Sequence, residues 1–121
     1  MWSTDFDKAR QILEINFAQH VDYAEAQACA ARVQVLLAEV RPGFCLLSDL
    51  SDLAQMDLAC EPVIDQVMDA LNRHGVQKVV RVVPNPKTDI GFGIMSLFHY
   101  GQHVRFVTCE TLEQARAHLP R

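Results

Sequence analysis

Residues 44–83 read FCLLSDLSDLAQMDLACEPVIDQVMDALNRHGVQKVVRVV, and this stretch decides the fold. Phe44-Cys45-Leu46-Leu47 is a continuous apolar run closed by polar Ser48 and Asp49. Such a run reads as a strand buried on both faces, the usual state in parallel sheet. Val79-Val80-Arg81-Val82-Val83 is a second strand of the same kind. Between them, residues 57–74 carry apolar side chains at helical spacing, with Cys60, Ile64, Val67 and Leu71 as the core stripe and Val63 and Met68 beside it. Gly75 stands where a helix ends in left-handed backbone. Leu50 to Met56 reads as the connecting loop. A strand–helix–strand unit of this length implies a parallel pair joined by a right-handed crossover.

Working outward, residues 2–6 and 10–17 form an opening hairpin around Asp7-Lys8-Ala9, since Leu13, Ile15 and Phe17 alternate with Glu14 and Asn16. A helix starts at Asp22, with Glu25 in capping-box spacing, and runs to about Val40 before Pro42-Gly43. Ala24, Ala28, Ala31, Val35 and Ala38 mark one apolar stripe on it, and Val33, Leu36, Leu37 and Val40 widen that stripe. So broad an apolar surface implies either deep burial or contact with a second copy of the chain as a homodimer. After Val83 come Pro84-Asn85-Pro86, a helix from near Asp89 to Gly101, a strand Val104-Arg105-Phe106-Val107, and a last helix from Thr111 to Leu119 opened by a Thr111…Gln114 box. The expected fold is α/β: a mixed, mostly parallel sheet of about five strands with four helices and an opening β-hairpin, in one domain spanning 1–121.

Bulk properties narrow the function classes. A chain of 121 residues, half of them hydrophobic and 21% charged, can bury a core without disulfide or metal support. Its formal charge of −4 and the lack of any Lys/Arg cluster favour neither nucleic acid nor an anionic membrane as partner. No apolar run is long enough to span a bilayer. Cys29, Cys45, Cys60 and Cys109 form no CxxC pair and sit in apolar or helical sequence, which reads as reduced structural thiols. The first residues have neither a basic stretch nor an apolar core of signal-peptide type, so the cytoplasm is the expected compartment.

Catalytic and metal-binding patterns are weak. His99 and His103 have HxxxH spacing, but Gly101 breaks the shared helical face that zinc needs. The loop Pro84 to Gly93 sits where α/β sheets bind ligands, yet it is neither GxGxxG nor a Walker loop. No cofactor, metal site or catalytic constellation is expected. Arg81 and Arg105 interrupt apolar strands, and a buried guanidinium demands a partner; Asp49 is the expected mate of Arg81. Asp57, Glu61, Asp65 and Asp69 recur every four residues, which would line them along one exposed helical strip.

The stretch Asp49-Leu50-Ser51 through Asp57-Leu58-Ala59-Cys60 resembles the signature of the STAS (SpoIIAA-like) family, in which a strand ends in Asp-Leu-Ser and Asp-Ser-Ser-Gly opens the next helix. Val79 to Val83 and Thr111-Leu112-Glu113-Gln114-Ala115 are similar to segments of stand-alone bacterial STAS/SEC14-like proteins. The resemblance implies a non-catalytic regulatory module that binds a protein partner through the second helix, at Asp57, Leu58, Ala59, Glu61, Asp65 and Asp69. In the family a kinase phosphorylates the second serine of Asp-Ser-Ser-Gly. Here the two serines are replaced by Leu58 and Ala59, so that switch has no hydroxyl to act on. The alternative is a small-molecule or lipid-binding domain whose apolar pocket lies between the third helix and the sheet, with Lys87, Phe92 and Met95 as ligand contacts.

Overall fold

The opening hairpin sets the first edge of the sheet. β1 (Trp2–Asp7) pairs antiparallel with β2 (Ile12–Val21), with Thr4 opposite Ile15 and Phe6 opposite Leu13. The hairpin turn falls at residues 8–11, later than expected. It is held by the Arg10 N–H donating to Asp7 Oδ1 at 3.0 Å and by Gln11 in left-handed backbone at φ 56°. The computed structural model describes residues 1–83 and 103–121, and in it five strands lie in the order β1-β2-β3-β4-β5. β2 pairs with β3 (Cys45–Met56), β3 with β4 (Lys78–Val82), and β4 with β5 (Arg105–Cys109), all parallel. The sheet is thus mixed and mostly parallel, as its apolar strands required.

Three α-helices cover it among the described residues. α1 (Tyr23–Leu37) begins at Asp22, whose Oδ1 accepts the Glu25 N–H at 2.8 Å, and α2 (Glu61–Arg73) follows a short 3₁₀ turn at Leu58–Cys60. α3 (Leu112–Ala117) is opened by Thr111, which accepts the Gln114 N–H at 3.2 Å. The Gln114 side chain returns a bond to the Glu110 N–H at 3.0 Å, so the reciprocal contact of the capping box lands one residue earlier than expected. The helix expected from Asp89 to Gly101 lies outside the described residues.

α1 and α2 share one face of the sheet. Their buried Ala26, Cys29, Val33, Ile64, Met68 and Leu71 pack with Leu13, Ile15, Phe17, Leu46 and Val79. α3 sits on the opposite face, where Ala115 and Leu119 pack on Ile12, Cys45, Leu47, Val80, Val82 and Cys109. Of the stripe expected for α2, Cys60, Val63, Ile64, Met68 and Leu71 are buried and Val67 is partly buried, and the helix begins at Glu61, four residues after the expected Asp57.

Three sequence expectations are corrected. First, Leu50 to Met56 is strand, not loop: β2 runs on to Val21, and its backbone groups pair with β3 through Ala18↔Asp52, Gln19↔Leu53, His20↔Gln55 and Val21↔Met56. Two register shifts, one beside Gln19 at φ 60°, absorb the irregularity. Second, the Ala24, Ala28, Ala31, Val35, Ala38 stripe points outward, with Val35 60% exposed. The face that enters the core carries the larger Val33, Leu36 and Leu37, which bury more apolar area for the same length of helix. Third, Asp49 does not face Arg81. Ser48 is the register partner of Arg81 and Asp49 that of Val82, so strand alternation sends the two charges to opposite faces.

Gly75 ends α2 at φ +87°, its N–H donating to Asn72 O at 3.0 Å and its carbonyl accepting the Gly43 N–H at 2.7 Å. A Cβ there would stand 3.0 Å from Pro42 Cα. Gly75→Ala combines left-handed strain with a backbone clash, and is expected to cost about 1–3 kcal/mol of unfolding free energy. Urea denaturation checks this; an unchanged midpoint would show that the close approach is not rigid.

Candidate partner-binding face at the start of the second helix

The face is built on the end of β2. Because Val21 pairs with Met56, the next residue, Asp57, arrives beside the end of β2, and its N–H donates to Val21 O at 3.0 Å. Its backbone is extended (φ −64°, ψ 144°), and the chain then tightens into the Leu58–Cys60 turn, closed by the Cys60 N–H to Asp57 O at 2.9 Å. Cys60 is fully buried and its Sγ lies 3.7 Å from Val21 O. With Asp57 and Cys60 drawn inward, the two residues between them face solvent. Leu58 is 87% exposed, the most exposed large apolar side chain of the described residues, and Ala59 is also exposed.

The four carboxylates are not the uniform strip that their spacing suggested. Asp57 precedes the helix and makes no capping bond; its Oδ1 instead meets His20 Nε2 at 2.6 Å. Glu61 is exposed in the first turn of α2, where the unpaired N–H groups favour negative charge. Asp65 is half-buried. Asp69 is exposed and pairs with Arg73 Nε at 3.4 Å, an i,i+4 contact that offsets the repulsion between like charges at this spacing. The structure therefore brings Asp57, Leu58, Ala59 and Glu61 together at one tip, and carries Asp65 and Asp69 further along the same helix.

His20 is the residue sequence reading passed over. It is 37 positions from Asp57, and nothing local to it announces the pair. The Asp57 carboxylate, first by hydrogen bond and then by charge, raises the imidazole above its ordinary value, with Asp22 and Glu25 adding smaller pulls in the same direction. Ser51 donates from both its N–H, at 3.0 Å, and its hydroxyl to Asp49 Oδ1, a local side-chain contact within β3 just where β4 stops pairing with it.

Beneath the helices, Arg81 is buried and its guanidinium carbon lies 4.5 Å from the centre of the Phe106 ring, an aromatic cation contact in the core. A space of about 50 Å³ lies beside it, lined mostly by apolar side chains, among them Phe17, Cys29, Ile64 and Met68, with Ser48 on one side. Arg105 is exposed on β5. A shallow groove of about 410 Å³ runs over the outer surface between Tyr23 and Gln27 of α1 and Pro62 and Gln66 of α2. Lys87, Phe92 and Met95, the expected ligand contacts, lie outside the described residues, as do His99 and the loop Pro84 to Gly93. Among the described residues no cluster of three His, Cys, Asp or Glu could hold a metal, and no helix is long and apolar enough to cross a membrane.

No protein-family profile matches the chain, and no curated protein matches it in sequence. Solved structures do match. A DUF3478-family protein of SpoIIAA-like fold from Shewanella loihica PV-4, itself uncharacterised, superposes with a TM-score of 0.76 at 12% identity, over 98% of this chain and 93% of that one. The Bacillus cell-fate determinant SpoIIAA in its phosphorylated form matches at 0.69 and 15%, over 98% of both chains. An anti-sigma-factor antagonist from Mycobacterium paratuberculosis matches at 0.63 and 16%, covering 98% and 94%. At these identities the likeness is one of fold. The chain has the SpoIIAA-like fold, whose solved examples include anti-sigma-factor antagonists.

Two outcomes follow from the burial pattern. Leu58→Asp should change unfolding free energy by no more than about 0.5 kcal/mol, because the side chain it replaces contributes little to the core; a large loss in denaturation would mean that Leu58 packs in solution. All four cysteines are buried, and burial pushes the Cys29 thiol up to about 12. A colorimetric disulfide reagent should find no reactive thiol in the native protein at mildly alkaline pH and four after denaturation.

Proposed function

We propose that this chain is a non-catalytic regulatory module that binds a protein partner through the tip formed by Asp57, Leu58, Ala59 and Glu61, with Asp65 and Asp69 extending the contact along α2. The observation that carries this reading is Leu58. A leucine held 87% exposed between an anchored aspartate and a buried cysteine gains nothing for the fold, whereas seating it in an apolar socket would gain about 1.5–3 kcal/mol. The likeness to anti-sigma-factor antagonists supports a regulatory setting. One solved neighbour, SpoIIAA, is known in a phosphorylated form. This chain has Leu58 and Ala59 where the resemblance puts the serines, so its partner is bound without that gate. The acidic side chains around the tip favour a partner surface that is cationic around an apolar centre.

The test is retention from lysate of the native host on immobilised protein, with Leu58→Asp and Asp65→Lys/Asp69→Lys as parallel baits. A partner retained by the native sequence should be weakened about tenfold or more by Leu58→Asp. It should also be weakened by the double charge reversal and released progressively by salt. Identical capture by all three baits would remove this face from the reading.

A further inference from the structure

Among the described residues, the contact between His20 and Asp57 is the ionic link between the end of β2 and the segment that presents Leu58. Its surroundings are charged from several sides. Asp22, the N-cap of α1, uses its carboxylate on the Glu25 N–H, and Glu25 pairs with the Met1 ammonium, which also donates to His20 O at 3.2 Å. Asp57 is thus the carboxylate bonded to the imidazole, at 2.6 Å, while Asp22 and Glu25 act on it from a distance. Both partners remain open to water, with side-chain exposures of 57% and 37%, so protons exchange freely with solvent.

We propose that His20 and Asp57 form a proton-operated latch on the Leu58–Cys60 turn: the imidazolium holds the turn against the end of β2, and its deprotonation loosens the turn and leaves the Asp57 charge unbalanced beside Leu58. This deepens the reading of the tip as a partner-binding face and rests on it, supplying a regulation that uses no serine. The sign follows from linkage. The latched state is the one that raises the His20 affinity for its proton. Its contribution is therefore complete below the ordinary imidazole value of about 6.5 and is lost as pH rises through the higher folded value. Neutral His20 can still donate one N–H to Asp57, so the latch weakens and does not open outright. A cationic partner surface would meet a bare Asp57 at the upper end of this range and a neutralised pair at the lower end.

The experiment uses the protein alone, so its failure is distinct from failure of the partner reading. Imidazole resonances and amide hydrogen exchange are followed by NMR from about pH 5.5 to about pH 8.5, the range in which histidine titrates. The native protein is compared with Asp57→Asn and His20→Gln. In the native protein the protection of the Asp57 and Cys60 amides, corrected for intrinsic exchange, should fall about two- to fivefold as His20 loses its proton. In both variants the corrected protection should be flat, and in Asp57→Asn the imidazole should titrate lower than in the native protein. A native profile that is flat, or one that all three proteins share, would overturn the latch.

Discussion

The parallel pairing of β2 with β3 past Asp49 is the constraint on which the rest of the tip depends. β4 stops its ladder with β3 at Asp49, yet β3 continues because β2 offers paired backbone groups as far as Val21. A strand advances about 3.3 Å per residue, so ending β3 at Asp49 would have left Asp57 free to start α2 from many places. With Val21 fixed against Met56, the next N–H reaches Val21 O, the Asp57 side chain reaches His20, and the Cys60 thiol reaches Val21 O. Three anchors converge on two consecutive residues of one strand. The position of Leu58 is a consequence of that register and not of any contact of its own.

Much of the architecture was legible because it is local. Val79 to Val83 could hardly be other than a strand buried on both faces, and α2 separates its apolar and polar sides cleanly. What escaped the sequence is non-local. Leu50 to Met56 lies beyond the end of the β4 ladder, and the backbone of β2, more than thirty positions earlier in the chain at Ala18 to Val21, makes it a strand. α1 failed for a different reason: with alanine on its outer side and Val33, Leu36 and Leu37 on its inner side, periodicity alone marks both faces as apolar, and side-chain volume decides which enters the core. Arg81 and Asp49 looked like mates by charge, but one residue of register puts them on opposite faces.

The site divides along the same line. Leu58 and Ala59 were visible once the stretch was set beside the serine-bearing signature, because a missing hydroxyl can be read at a single position. His20 was not, because its significance lies in a contact 37 residues away. The even spacing of Asp57, Glu61, Asp65 and Asp69 gave a true statement about a helix and a misleading one about this chain, since the helix begins only at Glu61. A periodic pattern predicts a common face only where the backbone keeps the period, and the 3₁₀ turn interrupts it.

Why a single proton should matter at this tip and not elsewhere follows from comparing magnitudes. Asp69 and Arg73 lie on consecutive turns of one helix, whose backbone ladder holds both ends whatever their charges do. The Leu58–Cys60 turn has no such ladder. Three backbone hydrogen bonds define it, from the Asp57 N–H to Val21 O, the Cys60 N–H to Asp57 O and the Glu61 N–H to Leu58 O, and each nets only about 0.5–1.5 kcal/mol once the competing bonds to water are counted. Cys60 is buried, which fixes the inner end of the turn, but Leu58 and Ala59 contribute little burial of their own. An ionic contact of modest strength is then a sizeable fraction of what holds the outer end. The same contact placed on α2 would be one small contribution among many, and its loss would pass unnoticed.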